Sequence, residues 1–157
     1  MKWRMLADIA YLMILAATLG GILILGIFTA PVVFNTGMLS HYEEGIIMAE
    51  IFRRFTYWLY GTFLVIVLYE GYQFKVFKRD AIATLTALTG IAAILMFNAV
   101  YTQKILAMQK EGEVATQSDM FANIHMASEI DFKILAVALA VLFARRYYLI
   151  THPHMLR

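Results

Sequence analysis

Apolar residues in this chain come in long unbroken runs, not at the alternating or helical spacing of a half-buried soluble element. No charged residue occurs from Ile9 to Ser40, and none lies between Asp80 and Lys104. A helix rises about 1.5 Å per residue, so about 20 apolar residues cross a hydrocarbon core of about 30 Å. Both runs are long enough. The first predicts a helix over about 9–30, which the chain leaves at Pro31 and the Asn35-Thr36-Gly37 turn signal; the second predicts one over about 81–103. Two further helices are expected over about 46–72 and 120–148, where the uncharged stretches, Phe55 to Tyr69 and Ile134 to Ala144, are too short to span alone. Each must therefore take charges into its outer turns: Glu50, Arg53 and Arg54 in one, Glu129, Asp131 and Lys133 in the other. Trp58, Tyr60, Tyr69 and Tyr72 fit an aromatic belt at each end of the former. The expected fold is all-α, a four-helix transmembrane bundle forming one domain over 1–157.

Composition agrees with this pattern. Apolar residues make up 62% of the 157 and charged residues only 15%, against about 45–50% and about 25% in soluble domains. The lipid bilayer is thus the expected environment. The net charge of +2 is small and unclustered, which argues against a nucleic-acid partner. With no cysteine, a disulfide framework, thiolate ligation and thiol catalysis are all excluded. Met1-Lys2-Trp3-Arg4 opens the chain like a secretory signal, but the uncharged run that follows is far longer than the roughly 7–15 residues of a signal's apolar region, so a retained first helix is expected. Placing the N-terminus inside puts Lys2, Arg4, Lys75, Lys78, Arg79, Arg145, Arg146 and Arg157 in the cytoplasm. It leaves Arg53, Arg54, Lys104, Lys110 and Lys133 outside or in the outer turns. That excess predicts an N-in, C-in protein, and with no organelle signal visible the expected location is a bacterial inner membrane. Small residues recur four apart in the first helix, Ala16 with Gly20, Ala17 with Gly21 and Gly26 with Ala30. The spacing suits close packing inside the bundle first, and a homodimer or membrane-protein partner through helix 1 second.

Sequence signatures of the common soluble enzymes, phosphate-binding loops, zinc-protease helices and nucleophile elbows, are absent. The chemistry left is the polar content of the outer half. His41 and His125 both fall there with Met48 and other methionines nearby, and imidazole with thioether is a donor set suited to copper. The structural alternative is that methionine packs the bundle and His125 serves a polar neighbour. His152 and His154 flank Pro153 in the C-terminal tail, where a solvated role is expected. Counting outward from Glu70 and Arg145 puts Arg54 and Glu129 both at about 24 Å, with Arg53 slightly higher and Asp131 slightly lower. Counts from Asp80 and Asp8 put Asn98 and Gly26 at about 27 Å. The expectation is one polar layer of Arg53, Arg54, Asn98, Glu129 and Asp131, capped by His125, with an arginine of the second helix paired to a carboxylate of the fourth because lone charges at that depth are costly.

The segment Gly26-Ile27-Phe28-Thr29-Ala30-Pro31-Val32-Val33-Phe34, with Glu43-Glu44-Gly45, Asn98 and His125, resembles the transmembrane protein 205-like family, grouped with the copper-resistance protein D-like superfamily. The resemblance covers nearly the whole chain. It implies a four-helix membrane protein with no settled function, and copper or heavy-metal handling at the superfamily level. Haem-associated relatives imply a third reading, a haem-linked oxidoreductase, for which His125 is the one histidine within a helical span. The other class left open is a non-catalytic subunit or assembly factor of a membrane complex.

Overall fold

The computed structural model describes residues 2–35, 37–76 and 80–152. Lys78, Arg79, His154 and Arg157, and Thr36 of the turn signal, lie outside the described residues, as does the side chain of Lys2. Among the described residues every regular element is helical. Helix α1 covers Lys2–Leu23 and passes through a π-helical stretch, Ile24–Thr29, into the short α2, Ala30–Phe34. Helix α3 covers His41–Val76. Helix α4, Ala81–Leu95, passes through a second π-helical stretch, Met96–Tyr101, into α5, Thr102–Glu111. A short α6, Glu113–Thr116, leads to α7, Asp119–Thr151. Three continuous helical stretches, Trp3–Phe34, His41–Lys75 and Ala81–Glu111, are long and apolar enough to cross a membrane.

Local chemistry sets several of the ends. Asp80 caps α4 by accepting the Ala83 N–H at 2.9 Å, and Ser118 caps α7 by accepting from Phe121 N–H at 3.2 Å. Gly112 takes φ 107°, a conformation open to glycine, and this ends α5 and turns the chain back toward α7. Pro31 does not end the first helix as expected. The preceding π stretch absorbs it: Ala30 N–H bonds Leu25 O, five residues back, and the wider turn makes room for a ring that has no N–H to give.

The core forms where Leu15, Leu59, Ile66, Ile94, Leu135, Leu139 and Leu142 meet. On α7 the buried positions Ser128, Phe132, Leu135, Leu139, Leu142, Arg146 and Leu149 recur every three or four residues, so one stripe of that helix faces inward. Phe97 stacks on Phe132 with centroids 4.9 Å apart, and Phe52 meets both rings edge-on. Only part of the small-residue pattern packs inside. A Cβ added to Gly21 would stand 2.9 Å from Phe55 Cε2, so a larger residue there would have to displace that ring, whereas Gly20 and Gly26 have nothing within 4 Å and Ala16 and Ala17 are exposed.

Candidate functional site

Polar side chains enter the bundle at three levels. At the end nearest the N-terminus, α1, α3 and α7 each bring groups that must find partners away from water. Tyr69 Oη donates to Asp8 Oδ1 at 2.6 Å and Tyr11 Oη to Glu70 Oε1 at 2.7 Å. The two phenol rings lie nearly parallel at 3.8 Å. Arg146 Nε donates to Glu70 Oε1 at 2.8 Å, and its Nη2 engages Oε2, a fork-to-fork geometry. The side chains of Glu70 and Arg146 are only 12% and 9% exposed. The Arg146 guanidinium also lies 5.8 Å from the centroid of the Tyr69 ring. Beside this array Arg145 clasps Asp80, with Nη2 to Oδ2 at 2.5 Å and Nε to Oδ1 at 3.1 Å. The Arg145 guanidinium holds the Asp80 carboxyl below the usual carboxylate range, against the opposing effect of burial.

Midway along, Thr18 and Thr62 place their hydroxyls 2.8 Å apart across α1 and α3, and Trp58 Nε1 donates to Thr18 at 2.9 Å. Each hydroxyl has one proton to give, while Ile14 O, Trp58 O and the opposite hydroxyl all accept. Two of those three bonds form at a time. This small network ties the helices at a level where no charge is present.

The far level differs from the expectation. Arg53 and Arg54 do not pair with Glu129 or Asp131. Both bond Glu50, Arg53 through Nε at 2.6 Å and Arg54 through Nε at 2.9 Å, one turn away on their own helix. Glu129 likewise meets His125 at 3.3 Å and Lys133 at 3.6 Å within α7. Spacings of three and four residues place these partners side by side on one helix face, so charges near the membrane edge are satisfied locally without a reach across the bundle. Asn98 does turn inward. It is fully buried and its Nδ2 donates to Thr56 O at 3.2 Å.

Each proposed metal ligand has its own local surroundings. His41 is 89% exposed and holds Glu44 at 3.2 Å, His125 stacks on Phe121 beside Glu129, and Met48 is buried in α3. Among the described residues no three of His, Cys, Asp and Glu come together as a metal-binding group.

Sequence reasoning does not find the array at the N-terminal end while Glu70 and Arg145 are taken only as marks of the inner membrane boundary. The signal was present: Asp8, Glu70 and Arg146 lie at one level on three apolar helices, the same argument that was applied to the other end.

These features define a polytopic helical membrane protein with a hydrogen-bonded polar interior. The family model described as a domain of unknown function, DUF4149, matches residues 13–114, well over half the chain, and the protein belongs to that family. The match stops short of α7, which supplies Asp131, Arg145 and Arg146. No curated protein matches this chain. No solved structure matches it either.

Breaking a buried ion pair by removing one partner costs about 3–5 kcal/mol, whereas an exposed pair within one helix contributes under about 1 kcal/mol. Glu70→Ala is therefore expected to destabilise the bundle several-fold more than Arg53→Ala. Loss of helical circular dichroism on titration with a denaturing detergent measures both. Equal losses would contradict a fastening role for the Glu70–Arg146 pair.

Proposed function

We propose that this is a four-span, N-in/C-in protein of a bacterial inner membrane, related to the transmembrane protein 205-like family, and that it acts as a non-catalytic subunit or assembly factor of a membrane complex. The fourth crossing is α7, supported by its 33 residues and by the uncharged stretch from Ile134 to Ala144. Orientation is supported by the excess of basic residues at the end holding the N-terminus. The observation that carries the partner reading is the exposure of α1. Of the three spans it is the least buried, meeting the bundle mainly through Tyr11, Leu15, Thr18 and Ile22. Its opposite face presents Ala16, Gly20 and Leu23, and a Cβ at Gly20 would meet nothing. Small residues on an open face let a second helix approach closely in lipid, where packing drives association.

The other two readings find less support. Copper would need thioether and imidazole donors converging on one point, whereas His41 already bonds Glu44, His125 bonds Glu129 and Met48 is buried. Haem would need an axial ligand turned into the bundle, and His125 is instead half-exposed beside Glu129. Most other charged groups with an assigned partner hold helices together or pair within one, which leaves little for catalysis.

Alkaline phosphatase fusions test the orientation. Fusions after Gln117 are expected to be active and fusions at Arg157 inactive; high activity at Arg157 would overturn N-in/C-in.

A photo-reactive residue at Leu23 tests the partner face. In native membranes it should give a discrete protein adduct that Gly20→Leu abolishes, while the same probe at Leu68, exposed on α3, should label only lipid. Lipid adducts alone at both positions would contradict the subunit reading.

A further inference from the structure

Two buried side-chain atoms have no hydrogen-bond partner among the described residues, Oδ1 of Asn98 and Oδ2 of Asp131. Both are acceptors while Asp131 is ionised. The Asn98 carboxamide is held by its bond to Thr56 O, so its oxygen is the atom left over. Buried acceptors without a donor are rare in folded proteins and call for an explanation.

The packing of α7 against α4 and its π-helical continuation puts these residues at one level. The two elements run antiparallel. A Cβ at Gly90 would lie 3.8 Å from Leu139 and 4.0 Å from Ala138, and Phe97 stacks on Phe132. One residue further along the π-helical stretch and one residue back on α7 come Asn98 and Asp131. Asp131 also shares a face of α7 with Ala138 and Arg145, at steps of seven residues. Those are the residues that meet Gly90 and Asp80. Asn98 sits within the π-helical stretch Met96–Tyr101, the kind of local widening that often accompanies a functional position.

No counter-charge is at hand. The α1 segment from Ile9 onward and the segment from Ala81 to Gln103 carry no charged residue, Tyr101 being the one titratable group of the π stretch. On α3, Arg53 and Arg54 are both bonded to Glu50. On α7, His125, Glu129 and Lys133 form their own set. Lys104 and Lys110 of α5, and Glu111 and Glu113 at its end, are exposed. An ionised carboxylate here would stand uncompensated, which apolar surroundings disfavour.

We propose that Asp131 is a proton-binding site of the bundle and shares its proton with Asn98, Oδ2–H of the neutral acid donating to Asn98 Oδ1. A single proton converts one acceptor into a donor and satisfies both leftover atoms. A hard metal cation fits less well, because it takes about six or more oxygens and the buried oxygens left without a partner are these two.

The test is infrared difference spectroscopy on the full-length protein in detergent, stepped from about pH 9 to about pH 4. Exposed aspartate and glutamate, with ordinary pKa values of about 3.9 and 4.3, are ionised at about pH 7. The carbonyl band of a protonated carboxyl is nonetheless expected there. It should vanish in Asp131→Asn, persist in Glu129→Gln, and move to higher frequency in Asn98→Ala as its hydrogen bond is lost. Asparagine at 131 can donate to Asn98 through its own amide, so that variant should fold. Carbon-13 labelling of aspartate carboxyls shifts the band and assigns it to aspartate as against glutamate, leaving Asp131→Asn to single out the residue. Absence of the band at about pH 7, a band indifferent to the aspartate label or surviving Asp131→Asn, or a band unmoved in folded Asn98→Ala would each overturn the proposal.

Discussion

Hydrocarbon offers no hydrogen bonds, so every polar group that this chain carries into its interior must be answered by another part of the chain. That constraint explains why the tightest contacts between helices are polar and not apolar. Leucine against leucine gains little in lipid, because the alternative neighbour is equally oily. Glu70 against Arg146 gains much more, because either one alone would be stranded. The Tyr11 and Tyr69 hydroxyls extend the same logic to α1, each ending on a carboxylate of another helix. The array therefore sets the relative depth of α1, α3 and α7, and Asp80 with Arg145 adds the start of α4.

Away from that end the polar contacts between helices are neutral. The Thr18–Thr62 contact keeps α1 beside α3 at mid-depth. Beyond it both Trp3–Phe34 and Ala81–Glu111 contain a π-helical stretch, one including Gly26 and the other Asn98. Charges at the far end are satisfied one turn away on their own helix. Neutral groups make the cross-helix bonds there, Tyr42 Oη donating to Gln109 O at 3.0 Å and Gln109 Nε2 to Gly45 O at 2.9 Å, and the two buried atoms without partners occur in this half. The cross-helix ion pairs and the buried atoms without partners therefore lie in different places.

Much of this was legible in the chain. The uncharged runs located the first and third helical stretches, and the short apolar cores of the other two correctly required charged residues inside helices. Depth counting also put Asn98 and Gly26 at a shared level, and both fall in π-helical stretches. What it could not supply was azimuth. Rise along a helix follows from residue number alone, but which way Arg54 or Glu129 points depends on the turn beneath it, and Glu50 and Lys133 stood closer than any neighbour across the bundle. Proline misled for a related reason: Pro31 breaks an α-helical ladder, and a widened turn is the accommodation that local propensity does not foresee. The cross-helix pairing lies instead at Asp8, Glu70 and Arg146, at the level where the residue counts for the inner boundary begin.

The central claim is one register among the helices, with α7 antiparallel to α4 and held by polar contacts at one end. The chain has no cysteine, so a single engineered disulfide reports that register cleanly. A Cβ at Gly90 would stand 4.0 Å from Ala138 Cβ, within the span of about 3.5–4.5 Å that a disulfide bridges. The double variant Gly90→Cys with Ala138→Cys, oxidised in native membranes, is predicted to form an intramolecular cross-link seen as a mobility shift that reductant reverses. Failure to cross-link, or preferential cross-linking of Gly90→Cys with Ala144→Cys, would show that the helices meet in another register and would contradict the account.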